Sequence, residues 1–241
     1  MSDDLQGLLG EMYVEDTEGP RIGSLCWAPV FYVQRTIDVI RPLSADPADA
    51  DFRKYAVRQV KPGEVGREGQ TAVGPRFPDK NLNLSLDEDL FVVRGKRRLV
   101  AVLFHPQAQH EAVTEDGGKT ADALDLCFGC LPAYTLVDNF GVPRHKLVFV
   151  ENVRALKYSV ACHLPCHPHF RDRESFLRMD RLSWLPREVM QPLGVRLNKI
   201  GMQYVSSWYA WFCGAQPLPD ALNAARSLLL EALDSARKPK Q

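Results

Sequence analysis

Hydrophobic residues follow two different rhythms along the chain. Up to about residue 160 they come in short β-branched and aromatic runs broken by Gly, Pro and Asp, which is the pattern of strands. Beyond His169 they recur at helical spacing. A short N-terminal helix is predicted first, from Leu5, Leu8, Leu9 and Met12. Ile22 to Val33 then predicts one strand interrupted at Pro29, or two short ones. Thr36–Ile40 and Tyr55–Val60 predict two more short strands. Leu90–Arg94 and Leu99–Phe104 predict a hairpin turning across Gly95, Lys96 and Arg97. Leu124–Leu136 and Lys146–Val150 predict strands on either side of a turn at Asp138–Pro143, and Asn152–Val160 a further strand or a bend.

In the C-terminal third, Glu174–Trp184, Val195–Phe212 and Pro219–Arg237 are the predicted helices. The second places Leu197, Ile200, Tyr204, Val205, Trp208 and Phe212 on one face, with Gly214 as its stop. Asp220 is available to cap the third. Strands first and helices last predict an α+β chain: a small antiparallel barrel or sheet with long loop insertions, followed by a helical section. The expected boundaries are an acidic helical segment over 1–20, a β domain over 21–170 and helices packed on it over 171–241. An irregular, Gly- and Pro-rich insertion at about 42–89 interrupts the β domain.

Composition changes this picture little. The 241 residues are 45% hydrophobic, enough for a sizeable core, and 30 basic residues balance 30 acidic ones, so no global field attracts polyanions. The charge is unevenly spread: nine acids and three bases in residues 1–50, eleven acids and fifteen bases in 121–241. A basic n-region with an apolar h-region is absent from the start, and no apolar run is long enough for a span. The expectation is a cytoplasmic protein with no membrane partner, whose cysteines are thiols or metal ligands.

Two groups of residues carry candidate chemistry. Cys127, Cys130, Cys162 and Cys166 could supply four thiolates to a structural zinc, with His163, His167 or His169 as substitutes; the same cysteines could equally be core. Cys166 beside His163 or His167 has the atoms of a nucleophilic pair, without an identifiable orienting partner. The other group is Arg94, Lys96, Arg97 and Arg98, cations that run straight into the apolar strand Leu99–Phe104 and could hold phosphate or keep an edge solvated. Phosphate-binding loops, serine-nucleophile elbows and zinc-protease helices have no sequence signature here. The aromatic segment Ser206–Phe212 could stack bases, or face a core or partner.

Three segments in order resemble the MazF/PemK-type toxins: Ile22-Gly-Ser-Leu-Cys-Trp-Ala-Pro29, Gly95-Lys-Arg-Arg-Leu-Val-Ala-Val-Leu103, and Lys146 to Lys157, which ends on acid, amide, aliphatic, Arg and small residue. That resemblance implies an SH3-like barrel, a homodimer, an antitoxin partner and metal-independent cleavage of single-stranded RNA. Its site residues would fall on Arg98, with Arg97 as the alternative, and on Thr135, with His105 as acid or base. Arg94, Lys96, Arg97, Arg154 and Lys157 would bind RNA or an acidic partner segment. The chain departs from the family in length, in its insertion, and in Leu99 where the family has Pro. Alternation predicts that Arg97 shares a face with Leu99, Ala101 and Leu103, whereas Arg98 goes with Val100, Val102 and Phe104. Two readings follow: a diverged RNA-cleaving or RNA-binding protein needing no cofactor, or a non-enzymatic adaptor stabilised by zinc.

Overall fold

The computed structural model describes residues 3–31, 38–42, 55–59, 91–105, 127–170 and 173–238. In chain order the elements are α1 (Asp3–Leu9), β1 (Tyr13–Glu15), β2 (Ser24–Phe31), β3 (Asp38–Pro42), β4 (Tyr55–Gln59), β5 (Phe91–Val92), β6 (Gly95–Phe104) and β7 (Cys127–Val137). There follow α2 (Leu147–Arg154), β8 (Ala161–Leu164), β9 (Glu174–Arg178), β10 (Ser183–Pro186), β11 (Gln191–Leu197), α3 (Lys199–Phe212) and α4 (Asp220–Arg237). The chain is therefore α+β. Its strands form a mostly antiparallel sheet in the order β1-β11-β2-β6-β7-β9-β8, with β10 also on β7, and β1 and β8 are its unjoined ends.

Two compact units divide the chain: residues 1–30 with 97–241, and residues 31–96. The smaller unit contains the three-stranded sheet β4-β3-β5. The predicted loop stretches at 63–83 and 107–122 lie outside the described residues.

In the larger unit the sheet is covered on both sides, and β6 shows why. Leu99, Ala101 and Leu103 enter a core shared with Leu5 of α1, Trp208 of α3 and Leu229 and Leu233 of α4. Val100 and Val102 enter a second core with Cys26, Ala28, Val30, Phe128 and Cys130. The alternation expected from the sequence is the one observed, with both of its phases buried. A third core, of Leu136, Val150, Val153, Ala161 and Phe176, lies beneath α2. α1 and the C-terminal helices share one core with the strands.

Three elements differ from expectation. Lys146–Val150 is not a strand but the start of α2, whose Val150 and Val153 sit one turn apart and are fully buried. The helix ends without glycine: Leu156 adopts φ 55° and is buried, with Leu156 N–H donating to Val153 O at 3.0 Å and Lys157 N–H to Asn152 O at 2.9 Å. Glu174–Trp184 is not a helix but β9, a short 3-10 turn and β10, with four consecutive buried residues in β9 concealing any period of two. The hairpin of 90–94 with 99–104 is not formed either. Phe91 and Val92 pair with Val39 and Asp38, and the basic run expected to turn is already strand β6.

Candidate nucleic-acid interface

Val100 of β6 pairs with Pro132 of β7, so Arg98 and Tyr134, two residues outward on each strand, meet on the same side of the sheet. The Arg98 guanidinium carbon lies 4.1 Å from the Tyr134 ring centroid. Tyr134 in turn pairs with Phe176, and Phe176 with His163. Arg98, Tyr134, Phe176 and His163 thus form one transverse row over β6, β7, β9 and β8. The Tyr134 and Phe176 rings stack at 5.8 Å. Diagonally from Tyr134, Arg178 brings a second guanidinium to 5.7 Å from the same ring. Asp180 fixes it there, accepting from Arg178 Nε and Nη2 at 2.6 Å each.

At its other end the row becomes a buried ionic cluster. Glu174, only 2% exposed, accepts Arg154 Nε at 2.7 Å and Arg154 Nη2 at 2.5 Å, a bidentate pair between α2 and β9. His163 Nε2 lies 2.7 Å from Glu174 Oε1. Burial pushes the Glu174 carboxyl up, but the hydrogen bonds from Arg154 and His163 outweigh it and hold the group at about 2. An ionised carboxylate only accepts, so His163 Nε2 carries the hydrogen, and its buried Nδ1 has no hydrogen-bond partner among the described residues. Two tyrosines anchor the β8 backbone beside it: Tyr204 OH donates to His163 O at 3.1 Å and Tyr13 OH to Pro165 O at 2.8 Å.

The expected catalytic trio does not assemble. Thr135 pairs with Ser175 and, by alternation with Tyr134, faces the opposite side of the sheet from Arg98. His105 follows the far end of β6, roughly 20 Å along the strand from Arg98, with its ring against Phe128 at 5.0 Å. Arg97 lies on the side of Leu99, over the Trp27 ring at 5.7 Å, and donates to Gln191 Oε1. Arg154, expected to bind RNA, is instead committed to Glu174. Lys157 is exposed just past α2, while Arg94 and Lys96 are exposed members of the smaller unit.

The four cysteines do not converge either. Cys130 lies in the second core and Cys162 in the first, on opposite sides of the sheet. Cys162 pairs with Leu177, which pairs with Ala133, so two strand spacings and three residues separate it from Cys130. That is more than about 10 Å, whereas sulfurs sharing a zinc lie about 4 Å apart. Among the described residues no group of three or more His, Cys, Asp or Glu could hold a metal. Burial pushes the Cys26, Cys130 and Cys162 thiols up to about 12, as expected of core cysteines.

No family model, curated protein or solved structure matches the chain.

Tyr134, Arg178, Glu174 and the role of His163 were not legible in the sequence. A register linking three strands brings them together, and nothing in the spacing of residues 134, 163 and 176 announces it. Chemically, the Arg98 end of the row is half-buried and sets two guanidinium groups against one aromatic ring, a cationic and aromatic combination of the kind that meets phosphate and base together.

Proposed function

We propose that the chain is a single-stranded RNA-binding protein of MazF/PemK-like descent that contacts RNA through Arg98, Tyr134 and Arg178. The observation that carries this reading is the Arg98 guanidinium 4.1 Å from the Tyr134 ring, with Arg178 over the same ring. Permanently charged planar groups beside an aromatic face recognise phosphate and base together, without a metal or a proton transfer. Asp180 pairs with Arg178 and orients its guanidinium over the ring. In this reading β2, β6, β7 and β9 descend from the strands of an SH3-like barrel. The dispersal of Arg98, Thr135 and His105 favours binding over cleavage by that trio. Fluorescence anisotropy with a labelled single-stranded RNA, with cleavage assayed in EDTA on the same samples, tests the proposal. Binding at low salt that Arg98→Ala weakens supports it, whereas absence of binding at low salt overturns it.

A further inference from the structure

Between β7 and the second residue of α2, the ten residues from Asn139 to Val148 are all exposed, and none is acidic. Four are apolar: Phe140 is 82% exposed, Val142 53%, and Leu147 and Val148 59% each. Arg144, His145 and Lys146 lie between the two apolar pairs. Such a run in a solvent-facing loop is unusual because water gains nothing from it.

The exposure is built in. Asp138 Oδ1 accepts the backbone N–H groups of Phe140 and Val142 at 2.9 Å each. The Asp138 backbone exchanges hydrogen bonds with Val142 and Gly141 at 3.0 Å, and Arg144 closes onto the Asp138 carboxylate at 2.9 Å. These bonds hold the Phe140 side chain away from the sheet. Leu147 and Val148 are turned outward for a separate reason, since Val150 and Val153 occupy the inward side of α2.

We propose that this loop docks on an anionic lipid bilayer, with Phe140, Val142, Leu147 and Val148 entering the interface and Lys146 meeting lipid phosphates. Three of the four apolar side chains, Val142, Leu147 and Val148, are aliphatic and neither stack on bases nor bond their edges, which disfavours RNA as the occupant. Two apolar pairs flanking a basic stretch in an exposed loop fit a soft bilayer surface, where apolar side chains insert and cations stay at headgroup level. Among the described residues, the acid onto which the loop folds, Asp138, is 8% exposed and already paired with Arg144. No helix among the described residues is long and apolar enough to cross a membrane, so the attachment is peripheral. The inference is independent of the RNA-binding proposal.

Cosedimentation of the full chain with sucrose-loaded vesicles tests it, comparing phosphatidylcholine alone with a mixture containing phosphatidylglycerol. The wild type should pellet with the anionic vesicles and stay in solution with the neutral ones. Phe140→Ser combined with Leu147→Ser should lower the partition coefficient about tenfold or more, because two large apolar side chains no longer enter the interface. These exposed positions leave the fold intact, which an unchanged circular dichroism melt verifies, and Lys146→Glu gives a second, charge-only variant that should also weaken binding. Arg98→Ala should pellet like the wild type. Failure of the wild type to pellet overturns the proposal, as does equal binding to neutral vesicles. So does a Phe140 variant that binds vesicles normally but loses RNA binding or self-association.

Discussion

Replacing Glu174 by Gln tests the buried cluster that ends the transverse row. The carboxylate is 2% exposed and receives two hydrogen bonds from Arg154 and one from His163. A glutamine of the same shape turns one acceptor into a donor facing a donor, and leaves the Arg154 charge without its counter-ion. Holding a carboxyl at about 2 rather than its ordinary 4.5 corresponds to about 3 kcal/mol in favour of the folded, ionised form. Arg154 is 22% exposed and can recruit some water, so the loss at about pH 7 should be on the order of 2–3 kcal/mol. In a chain of this size that lowers the melting temperature by roughly 4–12 °C. The sign with pH follows from a lowered carboxyl. Its contribution is fully present above the unfolded value of 4.5 and is lost as pH falls toward 2. Urea unfolding of both proteins at a series of pH values, reported as the difference, removes the titration of every other carboxylate. The difference should be largest near neutrality and shrink below pH 4.5. A difference smaller than about 0.5 kcal/mol, or one constant across the acid range, would refute the argument.

Other expectations follow from particular contacts. Gly201 lies in the first turn of α3, and a Cβ there would sit 2.4 Å from the Met12 carbonyl oxygen. Gly201→Ala should therefore destabilise by about 1–3 kcal/mol in thermal or urea unfolding although alanine is the better helix former, and a stabilised variant would contradict that packing. With Cys26, Cys130 and Cys162 buried and held at about 12, a thiol reagent should modify them only after unfolding, while Cys213 reacts at once. Prompt modification of more than the three remaining thiols in the native state would show one of the cores to be open. Chelators should leave the melting temperature unchanged, since the four candidate zinc ligands do not meet; a fall on EDTA treatment, reversed by zinc, would contradict this.

How far the sequence revealed the fold depended on what each element's pattern reported. The strand Leu99–Phe104 and the helix Asp220–Arg237 were legible because their apolar spacing matched their geometry. The start of α2 was not, because Val148 and Phe149 are strand formers and Leu156 replaces the expected C-terminal glycine. Tertiary burial of Val150 and Val153 decides its conformation. β9 was illegible for a different reason: with both faces buried it shows no alternation. At the site, strand alternation alone separates Arg97 from Arg98, whereas Tyr134 and Glu174 join Arg98 and Arg154 only through strand register and the packing of α2.

The most direct test of the RNA-binding proposal is the salt dependence of binding to a labelled single-stranded RNA, measured by anisotropy for wild type, Arg98→Ala and Arg98→Lys. Wild type should bind at low salt with affinity falling linearly against log salt, and Arg98→Ala should reduce that slope by about 0.7. Arg98→Lys should recover the slope but only part of the affinity, because an ammonium cannot lie flat on Tyr134 as a guanidinium does. Identical isotherms for wild type and Arg98→Ala would remove Arg98 from the interface and contradict the proposal.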